Sequence, residues 1–376
     1  MKKILICMLC LVIFLTGCGK KASDKKEGED MVKEPENQQE VITDENGKND
    51  ETANENQTPD TVSPSDETPT SDNQQDEPDS QDEPAVDDLF AKFYPNKDTG
   101  AILTGAEYNE LAKQLTENVQ GRLSEITYTF KGSKISMEML IGNRDIQQIK
   151  NPVGKEVFQL LYGDSEYYNY VLYLPEGYDP DDKETKWPVI YFLHGIGERG
   201  DDLNELLSYG VPKYIMETGS LDAIMIAPQC PGNSHWADTN DEEPKLKAFI
   251  EENLEKYNID PDRMYLTGLS MGGRGTWKQA LAMPDTFAAI AVVCGRTNSY
   301  DFSGILDMPI WMFHGAIDDT VPFKNVNLIV EKLCGQGHEY FKLTVYPFLS
   351  HDTWTPAYSR PDLYEWLFTQ NLQNRK

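Results

Sequence analysis

The sequence predicts an α/β domain over residues 156–376, built as a mostly parallel sheet with helices on both faces. Six short runs in this part of the chain are apolar on both faces, as strands of a helix-covered parallel sheet are. The stretches between the first five runs are long enough for a crossover helix, which parallel neighbours require. The runs are Val189–Leu193, Ala223–Ala227, Met264–Leu266, Phe287–Val293, Ile310–Phe313 and Phe341–Tyr346.

Two segments before these runs alternate between apolar and polar residues. Val157–Tyr162 and Asn169–Leu174 therefore predict an antiparallel edge pair. Helices are expected at about residues 200–217, 242–257, 270–282, 322–335 and 358–372. Because ligands of such sheets bind at the carboxyl ends of the strands, we expect the chemistry in the loops that follow them.

Residues 1–17 have the sequence pattern that predicts an export signal. Lys2 and Lys3 precede an apolar segment, Ile4–Leu15, that is too short to span a bilayer comfortably. The segment ends in Leu15-Thr16-Gly17-Cys18, which resembles the lipobox of bacterial lipoproteins. The resemblance implies cleavage before Cys18, lipidation of its thiol, and a cell-surface protein held to the membrane by lipid alone. An ordinary secretory signal is the alternative.

Residues 18–88 predict a disordered acidic linker. Residues 19–88 contain 23 acidic residues against six lysines, no aromatic residue and no apolar periodicity. Such a segment cannot bury enough surface to offset its ordering entropy. The formal net charge of the whole chain, −29, also argues against a nucleic-acid partner, because phosphate binding needs clustered Lys and Arg.

Residues 89–155 predict a small accessory region. Ala106–Asn118 fits an amphipathic helix, and Ile126–Phe130 and Lys134–Ile141 fit two short strands around Lys131-Gly132-Ser133. The region contains no evident chemistry. A structural role is favoured, with a binding module as the alternative.

The segment Gly195-Ile196-Gly197-Glu198-Arg199-Gly200 matches the GxGxxG pattern of dinucleotide-binding loops. That function needs a pyrophosphate at the N-terminus of the following helix. Asp201 and Asp202 follow directly and would repel it. The pattern alone is a weak signal, so we do not expect a dinucleotide site.

A second motif, Gly268-Leu269-Ser270-Met271-Gly272, lies between a predicted strand and a predicted helix. A nucleophile on a sharp strand-to-helix turn needs small residues two positions before and after it, because the flanking chain comes close. The motif predicts Ser270 as a nucleophile at a helix N-terminus. A glycine-rich turn with a solvated serine is the alternative.

Serine is a weak nucleophile without a base, and histidine is the suitable base. The five histidines are His194, His235, His314, His338 and His351. Only His351 follows the last predicted strand, in the chain order serine, acid, histidine. Asp318 or Asp319, after the strand Ile310–Phe313, fits the orienting acid, and at least one of the two is only a solvated loop residue. His194 and His314 each end a strand, where a structural hydrogen bond or a loop role is expected.

Together these residues resemble the α/β-hydrolase superfamily, and more closely its secreted esterase branch. That branch includes feruloyl and acetylxylan esterases, the phospholipase/carboxylesterase group and polyhydroxybutyrate depolymerases. The matching stretches are Tyr173–Tyr178, His194–Gly200, Ala227–Pro231, Gly268–Gly273, His314–Pro322 and His351–Trp354.

The resemblance implies that the first acid of the pair, Asp318, has the triad role. It also implies an oxyanion hole made by the backbone N–H groups of Met271 and Ile196 (or Gly197). The expected protein is a serine esterase that forms an acyl-enzyme and needs no metal or organic cofactor. Its expected substrates are carbohydrate-linked acyl esters, feruloyl or acetyl, as small molecules or polysaccharides. A serine peptidase or acyl-aminopeptidase on the same fold, and a non-catalytic binding protein, are the alternatives.

Two tryptophans and two cysteines also follow strands at the predicted active edge. Trp236 and Trp354 are expected to line a sugar- or aryl-binding face, with packing against the His351 loop as an equal alternative for Trp354. A bond between Cys230 and Cys294 is conceivable in an exported protein. With Cys334 in addition, the folded part would keep at least one free thiol.

Overall fold

The computed structural model describes residues 15–16, 86–96, 99–142, 160–237 and 242–375. The predicted signal and linker therefore lie almost entirely outside the described residues, and so do residues 143–159. Within the described ranges, no helix is both long and apolar enough to cross a membrane.

The described strands form one sheet. They are β1 (Leu15–Thr16), β2 (Leu123–Lys131), β3 (Lys134–Ile141), β4 (Leu161–Gly163), β5 (Tyr170–Tyr173), β6 (Trp187–Leu193), β7 (Ile224–Pro228), β8 (Ile259–Leu269), β9 (Ala289–Val293), β10 (Ile310–Gly315) and β11 (Tyr340–Tyr346). Their order across the sheet is β1-β3-β2-β11-β10-β9-β8-β6-β7-β5-β4.

Helices connect most of these strands. They are α1 (Val86–Lys92), α2 (Gly105–Asn118), α3 (Gly210–Thr218), α4 (Glu242–Lys256), α5 (Met271–Ala282), α6 (Lys324–Gly335), α7 (Trp354–Tyr358) and α8 (Pro361–Phe368), with short 3₁₀ turns at Leu203–Leu207, Ser303–Ile305 and Leu372–Asn374.

The centre of the sheet is parallel, and both of its sides are antiparallel. Strands β11, β10, β9, β8, β6 and β7 pair in parallel with their neighbours. The β4–β5 pair runs antiparallel against β7, as predicted for the edge pair. The hairpin β2–β3 pairs antiparallel with β11 on the opposite side. The predicted fold class, a mostly parallel sheet with helices on both faces, is confirmed.

The two faces of the sheet pack on two separate groups of helices. Along β6, Tyr191 belongs to one apolar cluster and Phe192 to the other, because successive side chains of a strand point to opposite faces. The first cluster contains buried residues of α1, α2, α4, α5 and α6, and the second contains those of α3, α7 and α8. Every parallel strand is therefore covered on both sides, which explains its continuous apolar sequence.

The accessory region is continuous with the main sheet. Its helix α2 begins one residue before the predicted start, with a capping box between Thr104 and Glu107. Its strand β2 hydrogen-bonds along β11, and the rings of Phe130 and Phe341 stack with centroids 4.1 Å apart. Strands β2 and β3 of the accessory region thus extend the main sheet.

Two predicted helices are interrupted. The segment predicted at about 200–217 forms a 3₁₀ turn and then α3, because Gly210, the first residue of α3, adopts a positive φ of 68°. The segment predicted at 358–372 is divided into α7, α8 and a 3₁₀ turn. Pro361 is the first residue of α8, and a proline starts a helix far more readily than it continues one.

Candidate active site

Ser270 lies on the turn between β8 and α5 at the carboxyl edge of the sheet. Its backbone has φ 51° and ψ −111°, a positive φ that non-glycine residues rarely adopt. The turn is held because the Ser270 N–H donates to the Val293 carbonyl at 2.9 Å and its own carbonyl accepts from the Arg274 N–H at 3.1 Å. The strain is thus maintained by the neighbouring strand and the first turn of the helix.

The two glycines around Ser270 are required by space. A Cβ on Gly268 would come within 2.5 Å of the Gly272 backbone. A Cβ on Gly272 would lie 1.8 Å from the Leu193 carbonyl oxygen at the end of β6. The close approach that the motif predicted is therefore present, between the turn and the adjacent strand.

His351 reaches Ser270 from the loop after β11. Its Nε2 lies 2.9 Å from the Ser270 Oγ, and its Nδ1 lies 2.8 Å from the Asp318 Oδ2. An ionised carboxylate only accepts hydrogen bonds, so Nδ1 holds the proton and donates it to Asp318. In the neutral ring Nε2 is then the acceptor for the Ser270 hydroxyl. The structure thus brings together the three side chains predicted from sequence.

Asp318 is buried and is surrounded by donors. Its Oδ1 accepts from the N–H groups of Thr320 and Val321 at 3.0 and 2.8 Å. His314 Nε2, which also lies 2.8 Å from the Val321 carbonyl, approaches Asp318 Oδ2 at 3.3 Å. Burial raises the pKa of Asp318, but the hydrogen bonds from His314, His351 and Val321 outweigh it and hold that pKa below its ordinary value.

Asp319, the other candidate acid, is exposed. Its Oδ1 accepts from the hydroxyls of Ser350 at 3.1 Å and Thr320 at 3.3 Å. Of the two acids, only Asp318 contacts the imidazole of His351.

The two predicted oxyanion donors follow β8 and β6, which are neighbours in the sheet. Met271 is the first residue of α5, so its N–H has no acceptor within the helix. Ile196 lies on the loop after β6 and is 54% exposed. His194 fixes the peptide that contains the Ile196 N–H, because its Nδ1 bonds the Gly195 carbonyl of the same peptide at 2.6 Å.

The tautomer of His194 follows from a second hydrogen bond. The Cys230 N–H donates to His194 Nε2 at 2.9 Å, so the proton of the neutral ring is on Nδ1, facing the Gly195 carbonyl. Burial lowers the pKa of His194 to about 4, which keeps the ring neutral at physiological pH. The sequence predicts only a structural hydrogen bond or a loop role for His194 and His314. Their position at the ends of β6 and β10, each followed by glycine, was the available signal.

Trp236 was wrongly expected to line a binding face. It is 1% exposed, donates from Nε1 to the His194 carbonyl at 3.1 Å, and packs against the rings of His194 and Tyr168. Its chain position after β7 predicted the correct edge of the sheet but not the inward direction of the ring. Trp236 therefore supports the loop after β6 from inside.

Trp354 lies at the first position of α7 and is half-buried. Its ring meets the His351 ring edge to face, with centroids 5.3 Å apart, and meets Tyr209 at 5.8 Å. It lines a shallow cleft with Tyr209, Lys213 and Tyr358. The contact with His351 fits the packing alternative, and the cleft leaves part of the ring accessible.

The conceivable Cys230–Cys294 bond is absent. Cys230, Cys294 and Cys334 are all free thiols in the described chain. The Cys230 N–H donates to His194, whereas Cys294 directly follows β9, has a positive φ of 42° and donates its N–H to the Phe313 carbonyl. No group of three or more His, Cys, Asp or Glu side chains among the described residues is arranged to hold a metal ion.

The sequence of this region matches a known family. Residues 165–312 match the Esterase family model, described as "Putative esterase". The matched segment contains β8, the turn at Ser270 and helix α5. The chain is thus similar to this family over a segment that is shorter than half of its length.

Relatives with assigned names are similar to part of this chain. Feruloyl esterase C of Emericella nidulans is 30% identical over 156 residues, which are 41% of this chain and 56% of that protein. "Probable feruloyl esterase C" of Aspergillus flavus is 28% identical over 158 residues, again 41% of this chain and 56% of the relative. The chain thus spans little more than half the length of these relatives. Among solved structures, a thermostable esterase is 29% identical with a TM-score of 0.46, covering 63% of this chain and 68% of that one.

Proposed function

We propose that this protein is a serine hydrolase that cleaves carboxylic esters. The proposal rests on one observation, the chain of hydrogen bonds from the Ser270 hydroxyl through the His351 ring to the Asp318 carboxylate, at 2.9 and 2.8 Å. The esterase family match and the feruloyl esterase relatives support the same chemistry.

In the proposed reaction, His351 Nε2 takes the hydroxyl proton as Ser270 Oγ attacks the ester carbonyl. The N–H groups of Met271 and Ile196 bind the oxyanion, and such donors usually make the largest catalytic contribution. The alcohol leaves with the proton from His351, and the acyl group stays on Ser270. Water activated by the same histidine then hydrolyses the acyl-enzyme. The Asp318 carboxylate holds the His351 tautomer and stabilises the imidazolium that forms twice in the cycle.

The proposed substrates are carbohydrate-linked acyl esters, with a feruloyl or acetyl group. Relatives named feruloyl esterases support this class. Trp354 beside His351 offers an aromatic surface next to the reacting atoms, where a sugar or an aryl ring can stack. Peptide or anilide hydrolysis by the same triad is the competing activity.

Labelling with a fluorophosphonate probe tests the nucleophile. We expect one label on the wild type, none on Ser270→Ala, and normal labelling of Ser220→Ala, whose exposed serine follows α3. Initial rates on p-nitrophenyl acetate, methyl ferulate and aminoacyl anilides then separate the activities, and we expect esters to be hydrolysed faster. An unlabelled wild type, or Ser270→Ala with normal ester turnover, would contradict the proposal. Anilide turnover far above ester turnover would support the peptidase instead.

We also propose that Cys18 is lipidated and holds the protein at the outer side of a bacterial membrane. Cys18 lies outside the described residues, so the sequence motif alone supports this proposal. Detergent phase partitioning after expression in a bacterium tests it. The wild type and Cys10→Ala should enter the detergent phase, and Cys18→Ala should not. An unchanged partition of Cys18→Ala would favour an ordinary secretory signal.

A further inference from the structure

We propose that Arg199 and Gln229 are positioning residues, which hold the loop after β6 in the conformation that catalysis needs. This loop, here called the oxyanion loop, comprises residues 194–202 and contains the proposed donor Ile196. The inference rests on the proposed function. It adds two side chains that act through the backbone of the loop rather than on the substrate.

The oxyanion loop starts against the turn that contains the nucleophile. A Cβ on Gly272, two residues after the nucleophile, would lie 2.7 Å from the His194 carbonyl oxygen. A Cβ on Gly195 would lie 2.7 Å from Cδ1 of Leu269, the residue before the nucleophile. The peptide between Gly195 and Ile196 therefore begins beside this turn, and its direction decides whether the Ile196 N–H can reach an oxyanion there.

The oxyanion loop needs bonds from outside to keep one conformation. Residues 194–202 form neither an α-helix nor a strand, so no regular ladder of hydrogen bonds holds them. The Ile196 side chain is exposed, so apolar packing does not hold it either. Hydrogen bonds from side chains to the loop backbone therefore provide much of its order.

Two successive peptides of the oxyanion loop are held through their carbonyl groups. His194 Nδ1 bonds the Gly195 carbonyl, and this peptide contains the Ile196 N–H. Arg199 Nε donates to the Ile196 carbonyl at 3.1 Å, and that peptide contains the Gly197 N–H. A planar peptide turns as a unit, so a bond to its carbonyl also orients its N–H. Arg199 therefore orients the Gly197 N–H and limits the backbone rotation at Ile196.

The guanidinium of Arg199 also ties the oxyanion loop to the loop after β7. Its Nη1 donates to the Ser234 carbonyl at 3.0 Å, while its Nε holds the Ile196 carbonyl. A guanidinium is a rigid planar fork, so a first bond directs the second. Both acceptors are backbone carbonyls, which is the arrangement expected of a side chain that holds two loops together.

Gln229 makes a second link between the same two loops. It is buried directly after β7, and its Nε2 donates to the carbonyls of Glu198 and Asp202 at 2.9 and 2.8 Å. Both hydrogens of this amide are thus used on the oxyanion loop. The Gly200 N–H donates to the Cys230 carbonyl at 3.0 Å between these two bonds. The second half of the oxyanion loop is therefore fixed on the β7 side.

The test measures catalysis by full-length Arg199→Met and Gln229→Met on p-nitrophenyl acetate. Rates are divided by the amount of protein that a fluorophosphonate labels at completion, so that only folded sites are counted. Loss of one oxyanion donor costs about 10²- to 10³-fold in kcat, so a loosened donor should cost at least about tenfold. We expect kcat and kcat/KM to fall by the same factor, because the oxyanion forms only in the reaction.

Inhibition by trifluoroacetophenone separates positioning from a merely structural role. Ser270 Oγ adds to the ketone carbon, the hydroxyl proton passes to His351, and the ketone oxygen becomes an oxyanion. The inhibition constant should therefore rise by the factor by which kcat/KM falls. A structural role would lower the amount of labelled protein and leave kcat per labelled site and the inhibition constant unchanged, which would overturn the inference.

Arg263→Met is the matched control. Arg263 is also half-buried and also donates to a backbone carbonyl, that of Lys186, but it lies in the amino-terminal half of β8. Its kcat and inhibition constant should equal those of the wild type. Arg199 is not fully buried, so Arg199→Met decides the question even where Gln229→Met does not fold.

The outcomes for the two proposals are distinct. If Arg199→Met keeps kcat per labelled site and the inhibition constant within about twofold of the wild type, the positioning role is wrong and the esterase proposal stands. If the wild type neither hydrolyses esters nor reacts with the fluorophosphonate, both proposals are wrong.

Discussion

At the scale of single residues, Asp318 shows how a buried charge is kept ionised. Four donors surround its carboxylate, from the rings of His351 and His314 and the N–H groups of Thr320 and Val321. Burial alone would raise its pKa, so the lowered pKa comes from these donors. The same contacts that hold the carboxylate against the His351 ring also stabilise the fold.

Asp318→Asn tests both roles. An amide cannot stabilise the His351 imidazolium and favours the wrong tautomer, so kcat should fall about 10³- to 10⁴-fold. Because the folded-state pKa lies below the ordinary value of 3.8, the carboxylate stabilises the fold above that pH and less as the pH falls below it.

The free energy of unfolding should therefore differ most between wild type and Asp318→Asn near pH 7, and the difference should shrink below pH 3.8. Urea denaturation at a series of pH values measures it. Asp319→Asn is the matched control, and it should keep most of the activity. A pH-independent difference in stability would contradict the assigned ionisation of Asp318.

At the scale of elements, the strand–turn–helix unit around Ser270 depends on two close backbone contacts. The Gly272 Cα lies against the Leu193 carbonyl at the end of β6, and the Gly268 Cα lies against Gly272. These contacts fix how far α5 can approach the sheet. They therefore set the height of the Ser270 hydroxyl above the sheet edge.

Gly272→Ala should consequently be severely destabilising. Its Cβ would lie 1.8 Å from a backbone oxygen that cannot move without displacing β6. We expect a loss of more than about 3 kcal/mol in the free energy of unfolding, measured by urea denaturation. Gly335→Ala, at the end of α6 with open space around its Cβ, should change stability by less than about 1 kcal/mol. Similar effects of the two substitutions would show that the turn relaxes freely.

The elements also show what could be predicted from sequence. The parallel strands were found because burial on both faces leaves a continuous apolar run, as in Ile310–Phe313. His351 and the pair Asp318 and Asp319 were found because the serine motif limits where an acid and a base can follow. The choice of Asp318 within the pair came from the resemblance to the α/β-hydrolase superfamily. The burial of Trp236 was missed because its direction depends on His194 and Tyr168, which are distant in sequence. The break before Pro361 had a local signal, since proline disfavours a helical residue before it.

At the scale of the whole molecule, the described sheet joins distant parts of the chain. Strand β2 pairs with β11 although Phe130 and Phe341 are more than two hundred residues apart. No local pattern indicates such a partner, which is why residues 89–155 were expected only as a small accessory region. The pairing covers the edge of β11, the strand that leads directly to the His351 loop.

The hairpin β2–β3 and the domain that contains the parallel strands should therefore unfold together. All six tryptophans lie between Trp187 and Trp366, so tryptophan fluorescence reports only on the domain. Leu89→Ala in α1 removes a fully buried side chain and should cost about 2–5 kcal/mol. Because the sheet is continuous, we expect it to lower the urea midpoint of the fluorescence transition as much as that of far-UV circular dichroism. Lys92→Ala, an exposed change in the same helix, should leave both midpoints in place. A fluorescence midpoint unaffected by Leu89→Ala would mean that the N-terminal elements fold as a unit of their own.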